Sequence, residues 1–353
     1  MGARSAWWDL RREAVLEPDW EVVDAHFHLW DARRLPDPED PARLLQTSRY
    51  LLDEFLRDAR SGHRVVQCVY VECGSAYRAD GPANLRPVGE TAFAAAAAER
   101  AAAAGDGPEI AAIVAHADLR DPDLDAALDA HAAAADGRLC SIRHHGARLE
   151  NPADRLIAGA APAGLYADPA FRRGVARLGE RGLAFDAFQF HFQFADLEAL
   201  ARAVPGTTLV VNHLNTPFGY TPGPAAADPV FTQWARQVDV LARLPNIVMK
   251  LGGLASVVTG YDGCRRDLPP SSRDFVDERG AYFFHAIERL GAERCMFESN
   301  FPVDSVAIGY RVLWNAYKLI AGEFDADART ALLAGTARRV YRMPRRPAAV
   351  RRH

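Results

Sequence analysis

The stretch Glu21-Val-Val-Asp-Ala-His-Phe-His28 is a short apolar, β-branched run that ends in His-x-His. Side chains on a strand alternate between faces, so His26 and His28 point the same way, and Asp24 has the same parity. Two neutral imidazoles at a strand end suit a divalent ion such as zinc, with nitrogens about 2.0–2.1 Å from the metal. A lone His-x-His is equally at home as a hydrogen-bonded core feature, so its meaning depends on the rest of the chain.

Seven more strand-like runs come after it: 64–71, 110–115, 139–143, 183–188, 207–211, 247–251 and 294–299, the first run being 22–25. Most are continuously apolar, as strands buried on both faces are. Helical patterns separate them at 91–104, 124–135, 169–181, 197–203, 231–244 and 275–290, and two more lie at 306–321 and 325–340. Eightfold alternation of strand and helix predicts an α/β fold, a (β/α)8 barrel, over residues 21–342. The first twenty residues form an N-terminal extension, and 343–353 a basic, disordered tail. No G-x-G-x-x-G comes after the first strand, which argues against a dinucleotide fold.

With 353 residues, 49% of them hydrophobic and 25% charged, the chain has the composition of an ordinary globular protein. A net charge of −4 gives no electrostatic case for nucleic acid. No apolar run nears the roughly 18–20 residues that span a bilayer, so no membrane partner is expected. The five cysteines show no pairing pattern or zinc-knuckle spacing, and the N-terminus lacks a secretory pattern. Together these point to the cytoplasm. Oligomeric state is left open, a homo-oligomer included.

Histidines cluster where a barrel does its chemistry. Of 11, seven (His26, His28, His116, His144, His145, His191 and His213) lie at or just past the ends of predicted strands. Chance alone would put roughly one there, since those windows make up about a tenth of the chain. The long, Pro- and Gly-rich segments, such as 31–60, 74–90, 214–228 and 252–274, come after strands and would gather at the same C-terminal face.

Read in order, Asp24-Ala-His-Phe-His-Leu-Trp30, Ser141-Ile-Arg-His144, Val211-Asn-His-Leu214, Lys250-Leu-Gly-Gly253 and Met296-Phe-Glu-Ser-Asn-Phe-Pro302 resemble the strand-end motifs of the amidohydrolase superfamily. The resemblance covers about 21–341. It is closest to the branch with sugar-lactone hydrolases and 2-pyrone-4,6-dicarboxylate lactonase, and more distant from aminocarboxymuconate-semialdehyde decarboxylase. It implies a divalent metal, zinc by preference, on His26, His28 and, through a looser match, His191. It also implies a proton-shuttling role for His213. Some relatives of this branch work without metal.

One departure bears on mechanism. Relatives end strand eight in Gly-Ser-Asp-Trp-Pro, whereas this chain reads Glu298-Ser-Asn-Phe-Pro302, and the amide of Asn300 is no general base. Glu298 shares strand parity with Asn300 and would return a carboxylate to the site, unless it serves as an ion-pair partner of Lys250. Asp304 is a third candidate base or, alternatively, a helix cap. Arg143, His144, His145 and Lys250 are candidates to bind a carboxylate, lactone or phenolate oxygen, with a salt bridge to Asp186 or Glu298 as the competing role for Lys250. Gly252 and Gly253 would admit the ligand to the backbone. The expected activity is metal-assisted opening of an ester or lactone bond in a small carboxylated or hydroxylated molecule. A metal-dependent decarboxylase and a catalytically silent binding protein are the alternatives.

Overall fold

A computed structural model describes residues 7–31, 33–36, 44–47, 49–149, 160–219 and 228–344. The first six residues of the extension and the basic tail from 345 onward therefore lie outside the described residues.

Eight parallel strands form one sheet in sequence order: β1 (Glu21–Phe27), β2 (Arg64–Val71), β3 (Glu109–Ala115), β4 (Leu139–Arg143), β5 (Ala184–Ala187), β6 (Leu209–Val211), β7 (Ile247–Leu251) and β8 (Cys295–Phe297). The sheet closes through the segment after β8, where Asn300 N–H donates to His26 O (2.9 Å) and His28 N–H to Phe301 O (2.8 Å). This is a (β/α)8 barrel. The helices are α1 (Leu52–Ala59), α2 (Val88–Ala104), α3 (Leu124–Ala134), α4 (Pro169–Glu180), α5 (Phe194–Ala203), α6 (Pro229–Leu241), α7 (Ser272–Leu290) and α8 (Tyr310–Gly322).

Local chemistry explains several boundaries. Asp168 and Asp228 accept N–H bonds at the starts of α4 and α6, each followed by a proline whose missing N–H costs nothing in a first turn. Ser271 and Asp274 form a capping box on α7. The predicted loop 31–60 holds more than a loop: a hairpin, Arg33–Pro36 with Leu44–Thr47, and helix α1. The amphipathic spacing of Leu52, Phe55, Leu56 and Ala59, all buried, carries that helix.

Two apolar layers result. Val23, Val69, Val114, Val210, Val248 and Met296 fill the barrel. The larger layer, with Phe27, Ile142, Phe185 and Phe297, lies between sheet and helices. The final predicted helix is interrupted by a π-helical turn, Ala331–Gly335, and the segment packs Ala334, Ala337 and Tyr341 against the interior layer. The extension straps onto α8: Leu16 N–H donates to Asn315 Oδ1 (2.9 Å), and Lys318 Nζ to Glu17 O (2.7 Å).

Candidate active site

At β1 the two-residue period fails within one turn of the site. The register against β2 shifts between Asp24 and Phe27, an irregularity that breaks the alternation. Asp24 therefore does not share a face with the histidines. It turns to the helical layer, accepting from Ser299 N–H (2.8 Å) and Tyr310 OH (3.0 Å), and burial pushes its carboxyl up to about 6. His26 and His28 face inward, their Nε2 atoms 3.1 Å apart.

Glu298 lies just past β8 and is fully buried inside the barrel. Its Oε1 accepts from His213 Nδ1 (2.6 Å) and from His213 N–H (3.1 Å), and its Oε2 lies 2.9 Å from His26 Nδ1. The competing role, a pair with Lys250, is taken by another acid. Lys250 Nζ lies 2.8 Å from Asp186 Oδ1, beneath the histidines and 3.3 Å from His26 Nδ1. Ser141 Oγ (2.7 Å), Asn212 Nδ2 (2.9 Å) and Tyr341 OH (3.0 Å) also donate to Asp186. Burial opposes ionisation of Asp186, but Lys250 and these donors outweigh it and hold the carboxyl below its usual range. Burial, reinforced by Lys250, holds the His26 imidazole well below its ordinary value, so it is neutral near pH 7.

The backbone that presents His213 is unusual. His213, Leu214, Asn215 and Thr216 all take positive φ (55°, 54°, 57° and 41°), a conformation costing about 1–2 kcal/mol per L-residue. Tertiary bonds hold the turn. Trp234 Nε1–H donates to Leu214 O (2.5 Å), His191 N–H to Thr216 O (3.2 Å), and Phe218 N–H to His191 Nδ1 (3.1 Å). Gly252 and Gly253 make room for the dyad rather than for a ligand. A Cβ on Gly252 would sit 2.4 Å from Glu298 Cγ, and one on Gly253 2.6 Å from His213 Cβ.

Other expected residues separate into two groups. Arg143 is at the site, with Nη1 3.5 Å from His26 Nε2, but its Nε is held 2.6 Å from Glu72 Oε1 and its Nη2 donates to Glu72 O. His145 stays near the mouth, 6.2 Å from the ring of Phe188, which in turn packs edge-on to His213 at 5.5 Å. His144 turns away: its Nδ1 accepts from Leu119 N–H (3.2 Å) and its ring packs on Phe171 of α4. Lys250 is wholly buried and faces acid, not substrate. Asp304 is buried too, accepting from Asn300 Nδ2 (2.9 Å) and Ala255 N–H (3.1 Å). Burial pushes its carboxyl up to about 8, and its two bonds tie the loops after β7 and β8 together. Asn300 is its partner and also closes the barrel through its backbone.

Glu72, Asp186 as a buried anchor, Asn212 and Tyr341 were not identified as site residues by the sequence. Glu72 directly follows β2, the rim position that drew attention to histidines after other strands, and that signal was available. Tyr341 carried none, because it reaches Asp186 from the far end of the barrel.

The metal expectation changes membership. Among the described residues, His26, His213 and Glu298 place ligand-type atoms within 4.8 Å of one another. His28 adjoins them through His26. Its Nδ1 is 2.8 Å from Val71 O and must donate there, which leaves a lone pair on Nε2 facing His26 Nε2. Two such nitrogens at 3.1 Å need a proton or a cation between them, and the buried Glu298 carboxylate has imidazoles as its nearest partners. This donor set fits a divalent ion. His191 does not belong to it: a neutral ring whose Nδ1 accepts from Phe218 N–H carries its proton on Nε2 and has no lone pair left.

Comparison with known proteins agrees with the architecture. Residues 23–343 match the family model described as amidohydrolase. An uncharacterized protein of Sinorhizobium fredii is 30% identical over 340 residues, covering 92% of this chain and 99% of that protein. The L-fucono-1,5-lactonase of Burkholderia multivorans is 30% identical over 245 residues, 68% of this chain and 74% of the lactonase. A crystal structure of an amidohydrolase from Burkholderia multivorans with bound zinc superposes with a TM-score of 0.67 at 25% identity, covering 92% of this chain and 99% of that one. With its barrel, its rim of inward-facing histidines and a match along nearly its whole length, the chain belongs to the amidohydrolase family.

Proposed function

We propose that this enzyme opens an ester or lactone bond by attack of an activated water, with His213 as the general base and Glu298 as the group that orients it. One observation carries the reading: the 2.6 Å contact between His213 Nδ1 and Glu298 Oε1. A carboxylate there fixes the proton on Nδ1 and leaves the Nε2 lone pair free to take one from water. Glu298 and His26 side chains are fully buried, while that of His213 keeps 9% exposure, so His213 is the member of the group that meets solvent.

In the reaction, His213 Nε2 removes the proton as water attacks the carbonyl carbon, and the imidazolium so formed is stabilised by Glu298 at contact distance. The same Nε2–H is then placed to protonate the departing alkoxide as the ring opens. A divalent ion on His26, His28, His213 or Glu298 would supply Lewis-acid polarisation of the carbonyl. Glu298 also answers the silent-protein alternative, because it restores a carboxylate where Asn300 has none. The relative named for L-fucono-1,5-lactone hydrolysis supports the lactone as the bond type. The cytoplasm, proposed on cysteine usage, agrees with five free thiols.

The test is a panel of aldono- and aryl-lactones followed by proton release, with the products of a reaction in ¹⁸O water analysed by mass spectrometry. One ¹⁸O in the new carboxylate and loss of turnover in His213→Asn are expected. Carbon dioxide release from an aromatic or muconate acid, with no lactone turned over, would replace this reading by decarboxylation. Elemental analysis of the same protein decides the metal question separately.

A further inference from the structure

Arg143 reaches the buried histidines with Nη1 3.5 Å from His26 Nε2, and the chain itself already occupies its guanidinium. Glu72 Oε1 takes Nε at 2.6 Å, the Glu72 carbonyl takes Nη2, and Nη1 is shared between His26 Nε2 and Asn212 Oδ1, both at 3.5 Å. We propose that Glu72 is a specificity residue: by filling the Arg143 fork it reserves the site for an uncharged ring ester and turns away substrates that carry a carboxylate. The proposal rests on the ester- or lactone-opening reading above and narrows its substrate class.

Glu72 has little freedom to release Arg143. Its own N–H donates to Val114 O (2.9 Å), which fixes it to β3. The next three backbone N–H groups, of Cys73, Gly74 and Ser75, converge on the buried side chain of Glu90 on α2 at 2.8, 3.2 and 3.3 Å. The loop bearing Glu72 is thus moored on both sides. The side chains of Arg143 and Glu72 are only 8% and 9% exposed, so water does little to weaken their attraction.

The charge balance points the same way. Lys250 is matched by Asp186 as Arg143 is by Glu72, and Glu298 adds a further carboxylate. Besides the divalent ion that the histidines fit, an incoming carboxylate would meet no uncommitted cation among these groups, and it would approach Glu72, a like-charge juxtaposition that discriminates against it. What the mouth does offer is the half-buried ring of Phe188, 5.5 Å from the His213 ring and 5.9 Å from the Arg143 guanidinium carbon. Its face suits the C–H side of a neutral ring.

The experiment compares D-galactono-1,4-lactone with D-galactaro-1,4-lactone, which differs in carrying a carboxylate at C6, on wild type and the near-isosteric Glu72→Gln. Wild type is expected to favour the neutral lactone in kcat/KM. Glu72→Gln should raise the carboxylated-to-neutral ratio by about tenfold or more, the scale of one hydrogen bond to a charged partner. Preference of wild type for the carboxylated lactone, or an unchanged ratio in the variant, would overturn the proposal while leaving lactone hydrolysis intact. If neither lactone is hydrolysed, acetate probes the cation directly, and the wider lactone panel decides the reading of the reaction. Thermal protection of Glu72→Gln by sodium acetate over sodium chloride, absent in wild type, supports the proposal; protection of both or of neither contradicts it.

Discussion

Gly253→Ala tests whether the glycine pair exists for the dyad. At φ +72°, alanine pays about 1–2 kcal/mol of backbone strain, and its Cβ would lie 2.6 Å from His213 Cβ and 2.7 Å from both Cγ and Nδ1. Ordinary contact begins at 3.4 Å, so the ring or the β7 loop must retreat by 0.8 Å. The His213 to Glu298 bond, now 2.6 Å, would stretch to about 3.4 Å if the ring moves directly away, beyond the usual hydrogen-bond range. Displacements near 1 Å cost about 10²-fold in rate, and forced packing adds about 1–3 kcal/mol of instability. Steady-state lactone hydrolysis, normalised to the folded fraction by circular dichroism, should therefore fall about 10²-fold. Gly105→Ala is the control: φ is +74° with nothing within 4 Å, so it should lose stability but keep kcat. A Gly253→Ala enzyme within about threefold of wild-type kcat would rule out a role for Gly253 in placing the His213 ring.

Three further outcomes arise from the buried charges and the strained turn. Asp304 carries its proton up to about pH 8 in the fold but releases it near 3.8 when unfolded, so its contribution to stability is full below pH 4 and is lost as pH rises toward 8. Asp304→Asn cannot ionise, so urea denaturation should show the variant gaining on wild type by about 1 kcal/mol or more between pH 5 and 8; the opposite trend contradicts a buried neutral acid. Lys250→Met strands Asp186 and should cost about 3–5 kcal/mol in chemical denaturation, much of it recovered in Lys250→Met/Asp186→Leu; equal stability of wild type and single variant would rule out the pair. His191→Ala loosens the left-handed turn, so kcat should drop while bound metal, measured by plasma emission, is unchanged, and metal loss would restore it as a ligand.

The barrel was legible because its strands are apolar on both faces and its helices repeat at 3.6 residues. Predicted and observed limits coincide for Arg64–Val71, Leu139–Arg143 and Ile247–Leu251. What parity could not provide was the irregularity in β1, which takes Asp24 off the face of His26, since no residue type there signals a register shift. Glu298 was identified because a departure from the family motif fell on the inward face of a strand. Whether it pairs with Lys250 was left open, because the choice between Asp186 and Glu298 as the acid for Lys250 depends on depth inside the barrel, and sequence carries no depth. His191 illustrates a different limit. Its spacing after β5 suited a ligand, but the turn it supports begins 22 residues later, and the positive φ of four non-glycine residues there has no compositional mark.

We propose that Glu298 orients His213 for proton removal, and the pH dependence of kcat/KM for lactone hydrolysis in wild type and Glu298→Gln is the test. Loss of a positioned base typically costs about 10²–10⁴-fold. A fall of about 10² or more is expected for folded Glu298→Gln, with the acidic limb of the profile displaced or abolished. Wild-type kcat/KM and an unshifted profile in a folded but less stable variant would contradict it, leaving Glu298 as a structural anion between two histidines.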